Sequence, residues 1–171
     1  EATRIMNFLL NLSVVALGYL LYEQIDHLKG HIISILTSVT VGSTLGIVSV
    51  VYIARLTGAD EIIALSLAPK SITTPIAIAV SEASGGITSL TSVVVVAVGI
   101  FGSIIGPTVL RKTGITDSIA RGLAMGCAAH GIGTARAIEI GAIEGAVSGL
   151  AIGLMGLATA LILPILQPLL F

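Results

Sequence analysis

The sequence predicts an all-α, polytopic membrane protein of about six membrane segments, two of them interrupted helices in an internal repeat of about 60 residues. Three observations carry that expectation. Only 10% of the 171 residues are charged and 55% are hydrophobic, with mean hydropathy +1.09, whereas soluble domains carry roughly 25% charged residues. Apolar runs long enough to span a bilayer recur along the chain. Two stretches, around Lys70 and His130, are equally apolar but hold proline, glycine and hydroxyl residues that disturb a helix.

Taken in order, residues 5–22 form a first span, short but within the usual range of about 17–25 residues. A polar loop, 23–31 (EQIDHLKGH), separates it from a second span, 32–56. Arg55 and a Thr57-Gly58-Ala59-Asp60 turn close that span, with Asp60 placed to cap the next helix. Segment 61–81 follows and overlaps the run LSLAPKSITTPIAIAVSE, residues 65–82. A spanning segment must satisfy its own backbone hydrogen bonds, so Pro69 and Pro75 are expected to break the helix. Lys70 then sits between the breaks near mid-depth, where an ammonium is costly to bury and marks a functional position. A turn at 82–86 leads to a β-branched span, 87–110, ending at Pro107 and Arg111-Lys112. Thr116-Asp117 cap segment 118–139, interrupted at Gly131 and Gly133, and the last span, 143–170, is closed by Pro164 and Pro168.

Basic residues orient the spans. If each interrupted segment crosses once, Arg4, Arg55, Arg111, Lys112 and Arg121 share one side and Lys29 alone lies opposite. This preferred reading gives six crossings with both termini in the cytoplasm. The rival makes the interrupted segments re-entrant hairpins with arms of about eight residues, roughly 12 Å each. It places Arg55 and Arg111 on opposite sides.

A shift of 60 residues aligns Gly42-Ser43-x-x-Gly46 with Gly102-Ser103-x-x-Gly106. It also pairs Lys70 with His130, Ile72 with Ile132, Thr74 with Thr134, Ala77-Ile78 with Ala137-Ile138, Gly85 with Gly145 and Leu90 with Leu150. The copies run roughly 34–90 and 94–150 within a single membrane domain. Chance likeness between apolar segments is the alternative, but the constant shift superimposes both interruptions. Paired interruptions of this kind point to a transporter binding site.

The candidate site follows from what the two breaks carry. Gly131 and Gly133 loosen the helix around Ile132, and a half-helix beginning near Thr134 aims its positive dipole end at the break, as one beginning at Thr74 does in the first copy. With Lys70 and Arg136 these ends suit one small anion. A carboxylate fits, because Arg offers a bidentate fork, Lys a point charge, and Ser71, Thr73, Thr74, Thr134 and backbone N–H groups neutral donors. His130 would contact the substrate or carry a coupled proton. Blander readings stand beside these. Arg136 and Glu139 are three apart and can neutralise each other, Lys70 can snorkel to an interface, and His130 can be a satisfied packing residue. Glu82, Glu139 and Glu144 are expected at the outer surface.

Other function classes recede. Net charge −1 gives nucleic acid no electrostatic footing. One cysteine, Cys127, cannot form an internal disulfide, and with three scattered His it shows no metal-ligand spacing. No nucleophile–base pair or phosphate-binding glycine loop is visible, so neither an enzyme nor a cofactor is expected. The chain begins at Glu1 rather than Met, which suggests processing or trimming, and residues 5–22 lack the small-x-small site of a signal peptide. Glycines four apart (Gly42/Gly46, Gly102/Gly106, Gly122/Gly126, Gly145/Gly149/Gly153) make smooth helix faces for contacts within or between chains.

The motifs LAPKSITTPIA (67–77), ARGLAMG (120–126), AHGIGTAR (129–136) and EGAVSGL (144–150) resemble the LrgB/CidB family over essentially the whole chain. The resemblance implies an antiholin-like protein of the bacterial plasma membrane, linked to murein hydrolase control and cell lysis and acting beside a holin-like LrgA/CidA partner. Related members move small monocarboxylates such as pyruvate, glycolate and glycerate, some in the chloroplast inner envelope. Family members usually carry further hydrophobic sequence before the point matching Glu1, so N-terminal spans are expected to be missing. They also tend to have prolines in the stretch matching 11–24, where this chain has Leu12 and Leu20, so its first span is expected to be straighter. Together these readings give a carrier of a small monocarboxylate, with Lys70 and Arg136 attracting it, Thr73, Thr74 and Thr134 orienting it and His130 titrating. The alternative is an antiholin-like modulator assembling with its holin-like partner; a homo-oligomer is expected, and a passive channel is the weaker third option.

Overall fold

The computed structural model describes Tyr19, Tyr22, Glu23 and residues 25–170. The expected first span, 5–22, falls almost wholly outside those residues, as do Arg4, Leu12 and Leu20. Among the described residues the chain is all-helical. A helical turn, Ile25–Leu28, and a 3₁₀ turn, Lys29–His31, lead into α1 (Ile32–Leu56). Then come α2 (Glu61–Leu67), α3 (Thr74–Ala83), α4 (Thr88–Lys112), α5 (Ser118–Ile140) and α6 (Ala142–Leu170). Three helices are long and apolar enough to cross a membrane: Lys29–Leu56, Thr88–Lys112 and Ala142–Leu170. This bears out a multi-pass membrane protein, with three candidate spans among the described residues rather than six.

Capping sets some helix ends as expected. The Asp117 carboxylate accepts the Ala120 N–H at 2.8 Å, the usual way of satisfying an orphan donor. Asp60 occupies the cap position of α2 without making that side-chain bond. Three prolines behave differently from the sequence reading: α4 runs through Pro107 to Lys112, and α6 runs through Pro164 and Pro168. Each proline removes one backbone bond. In an apolar span the flanking backbone groups have no water to turn to, so the helix continues past the gap.

Cross-helix contacts fix the directions. Arg55 at the end of α1 donates to the Leu170 carbonyl at the end of α6, and Ser43 bonds Thr159 at 3.0 Å midway along both, so α1 and α6 run parallel. The first arm of α5 runs antiparallel to α4 and parallel to α6. A β-carbon at Gly106 would meet Met125 and one at Gly102 would meet Ala129, while Gly122 faces Glu144 and Val147, and Gly126 faces Ser148 and Ala151. Backbones this close are what small residues permit in apolar helix packing.

Both unusual segments turn back on themselves. The Thr91 hydroxyl donates to the Ser66 carbonyl at 2.8 Å and bonds Ser81 Oγ at 2.7 Å, so the end of α2 and the far end of α3 lie side by side. Were α2 and α3 one straight crossing, fifteen positions would separate Ser66 from Ser81 by roughly 22 Å. In α5 the backbone reverses at His130 (φ 41, ψ −133), and a β-carbon at Gly133 would sit 2.5 Å from the Met125 carbonyl oxygen, eight residues back. In this structure each segment therefore folds back on itself instead of running on as one straight helix, as in the hairpin alternative. The two fold-backs start from opposite ends: 61–83 from the end holding Arg55 and Leu170, 118–140 from the end holding Arg111. Accordingly the basic residues regroup, with Lys29, Arg111, Lys112 and Arg121 at one end and Arg55 at the other.

The core lies where α1, α4, the fold-backs and α6 meet, with Ile35, Ile47, Val51, Ile72, Val95, Val147, Met155 and Leu163 almost wholly buried. The outward faces stay apolar, including Val93, Ile100, Phe101 and Ile104 on α4 and Leu157, Leu161 and Ile165 on α6. A water-soluble domain would not leave such belts bare; a lipid-facing one requires them.

Candidate functional site

Lys70 and His130, paired by the 60-residue shift, both sit at chain reversals. At the first, helix ends at Leu67 and resumes at Thr74, and the six residues between are held by turn-like bonds: Lys70 N–H to Leu67 C=O (3.1 Å) and Ile72 N–H to Pro69 C=O (3.4 Å). Pro69 is buried within this turn. Pro75 does not break a helix; it stands in the first turn of α3, where its missing N–H is no loss. Thr73 caps α3 by position without a side-chain bond, so the first N–H groups of α3 remain as donors toward the reversal.

The Lys70 ammonium is half-buried and donates to Ser71 Oγ at 3.0 Å. Among the described residues no carboxylate pairs with it. Ser71, Thr73 and Thr74 are likewise half-buried, around a fully buried Ile72. One reversal thus gathers a cation, three hydroxyls and a helix N-terminus, which is donor chemistry suited to an anion.

The second reversal is tighter and more completely engaged. His130 is buried, and its Nε2 lies 2.8 Å from the Val95 carbonyl on α4. A carbonyl only accepts, so Nε2 carries the proton in that bond. Thr134 is buried and bonds both the His130 carbonyl (2.9 Å) and Ser148 Oγ on α6 (2.7 Å). Gly133 is buried against the first arm, while Gly131 faces outward with open space around it. Arg136 lies six residues along the return arm, exposed, and its guanidinium pairs with Glu139. Contacts join Lys70 to Ser71 and Thr134 to His130, whereas Arg136 turns to Glu139.

Some placements differ from the sequence reading, and some contacts had not been foreseen. Glu144, expected at the outer surface, is 6% exposed and faces Arg121 at 3.5 Å. It begins α6 beside the first arm of α5, and that close packing covers it. Glu82 and Glu139 are exposed as expected. The hydroxyl group of Ser66, Ser81 and Thr91, and the Thr134–Ser148 pair, were missed. Their only sequence signal was hydroxyl residues inside apolar runs, a weak one, because such side chains often bond their own helix. Among the described residues no cluster of His, Cys, Asp or Glu could hold a metal ion.

Comparison with known proteins adds an independent line. The family model described as LrgB-like family matches residues 1–169. The antiholin-like protein LrgB of Bacillus mycoides (strain KBAB4) is 33% identical over 165 residues, which cover 96% of this chain and 72% of that protein. The namesake from Bacillus cereus (strain B4264) is similar to the same extent. A Bacillus subtilis (strain 168) protein, YxaC, is 40% identical over 149 residues, 87% of this chain and 65% of its own length. No solved structure matches.

Proposed function

The chain belongs to the LrgB-like family, and from that premise we propose that it is an antiholin-like protein of the bacterial plasma membrane, modulating murein hydrolase activity and cell lysis together with a holin-like LrgA/CidA partner. The names of the relatives support this reading. So does one structural observation: Gly42 and Gly46 on α1 and Gly153 on α6 have nothing within 4 Å of where a β-carbon would stand. These smooth positions are free to receive a neighbouring helix, from the partner or from a second copy. The test is co-purification of the holin-like protein with the parent and with Gly46→Leu. Loss of the partner from the variant, with the variant still folded, is expected; retention would remove the observation that carries the reading.

A second reading rests on a different observation. Residues 34–90 and 94–150 each combine a long helix with a fold-back, and those long helices run in opposite directions; on this reading they are the two copies of an inverted repeat. Inverted repeats with broken helices directed at mid-membrane are the architecture of secondary transporters. The cargo would be a small monocarboxylate of the pyruvate, glycolate or glycerate class. Lys70 would attract its carboxylate, with Ser71, Thr73, Thr74 and the N-terminus of α3 orienting it. His130, Gly131, Gly133 and Thr134 would shape the opposing reversal, and Arg136 would add positive field from further along. The two readings are compatible, because altered acid flux can produce a lysis phenotype. Uptake of labelled pyruvate, glycolate and glycerate into proteoliposomes separates them. Saturable uptake by the parent that is lost in Lys70→Ala is the transport outcome, and no uptake by folded, full-length protein leaves only the assembly role.

A further inference from the structure

Where α4 ends and α5 begins, Pro107, Arg111, Ile115, Thr116 and Arg121 line a recess of about 300 Å³. That is the lower end of the size range of small-ligand sites. Its two arginines come from different helices. Arg111, in the last turn of α4, is exposed and has no carboxylate partner among the described residues. Arg121, one turn into α5, is half-buried and held by the covered Glu144 carboxylate at 3.5 Å. Asp117, which lies between the two arginines in sequence, turns its carboxylate to the Ala120 N–H and lines a separate cavity beside His31 and Ser34. Thr116 adds a hydroxyl, and Pro107 and Ile115 make an apolar wall.

Position decides the occupant. Arg111 stands 23 residues after Thr88 in an apolar helix, roughly 35 Å along it, which puts the recess at the border of the hydrocarbon layer. The same end holds Lys29, Lys112 and Arg121, so the excess of basic residues marks it as cytoplasmic. At that border the available anions with an apolar body are phospholipids. The pairing of an arginine fork with an apolar wall matches a phosphodiester joined to acyl chains. We infer that this recess binds the headgroup of an anionic phospholipid, with Arg111 and Arg121 on the phosphate and Thr116 beside it. The bound lipid ties the end of α4 to the start of the second fold-back.

The test uses the full-length protein in a neutral detergent, with lipid binding read by native mass spectrometry. Phosphatidylglycerol, phosphatidylcholine and water-soluble glycerol 3-phosphate are compared. Retention of phosphatidylglycerol in preference to phosphatidylcholine is expected. Arg111→Gln should weaken it about fivefold, in line with the worth of one basic residue at an anionic surface, and Arg111→Lys should restore part of the loss. Because Arg121→Gln alone leaves Glu144 buried and unpaired, its role is read from the double variant Arg121→Gln/Glu144→Gln, which should weaken binding by a similar factor. Lys112→Gln, outside the recess, should change little. Equal retention of both lipids, an unchanged Arg111→Gln, or as large a loss in Lys112→Gln would overturn the proposal. Binding of glycerol 3-phosphate as tight as that of the lipid would also overturn it, in favour of a soluble-anion site.

Discussion

The two fold-backs solve one problem in different ways. Residues 61–83 reverse over a six-residue turn that leaves a half-buried ammonium and three hydroxyls at its tip. They fasten the end of α2 to the far end of α3, through Ser66, Ser81 and Thr91. Residues 118–140 reverse at a single residue, His130, whose backbone adopts a conformation L-residues rarely use. They fasten at the tip itself, through His130 to Val95 and Thr134 to Ser148. The first tip keeps donors in reserve and the second uses its own. On the carrier reading the first tip would be the one to meet the cargo, and the second would hold the frame.

Breaking the tighter fold-back should have the largest effect. A β-carbon at Gly133 would lie 2.5 Å from the Met125 carbonyl oxygen and 2.6 Å from the Ala129 β-carbon, and neither can step aside. Gly133→Ala is expected to cost about 3 kcal/mol, the upper end for overpacking, seen as a fall in thermal midpoint in detergent. Gly131→Ala, with open space around it, should unfold close to the parent. Equal behaviour of the two would mean the arms are not packed as described.

Next comes the fastening of the looser fold-back. Thr91→Val removes the hydroxyl shared by Ser66 and Ser81 and should cost about 2 kcal/mol, because buried partners lose their bond. Proteolysis at the 68–73 turn should also quicken. A smaller effect is expected at the other tip: a double-mutant cycle of Thr134→Val and Ser148→Ala should give a coupling of about 0.6 kcal/mol, the usual scale between helices in lipid. A small stability change is also expected of Lys70→Met, within about 0.5 kcal/mol of the parent, since among the described residues its ammonium bonds Ser71 alone. If that variant proved strongly destabilised, Lys70 would be a structural member of its turn, and the contrast between the tips would fail.

Much of this was legible in the sequence. Charge fraction and hydropathy gave the membrane class, and the long spans followed from apolar runs. Pro69 lies at the first break as expected; the second was placed at Gly131 and Gly133, whereas the non-helical residue is His130, just before them. The alternative that Arg136 and Glu139 neutralise each other also corresponds to their contact. Less legible was what happened at each break. Pro75 was read as a breaker but starts a helix, because proline is unfavourable inside a helix and favourable in its first turn. Glu144 was expected at the outer surface, but the approach of α5, with Arg121, covers it.

The residues by themselves determined that this chain enters a membrane and that its backbone breaks near Lys70 and near His130, since both follow from local chemistry: transfer of apolar side chains, and the hydrogen bonds that proline and glycine leave weak. Only the tertiary structure decided that each broken segment turns back instead of continuing. A break frees the chain to take either course at similar local cost. The choice is made by distant partners, Thr91 between Ser66 and Ser81, and Val95 and Ser148 against His130 and Thr134, whose contacts exist only once the helices have packed.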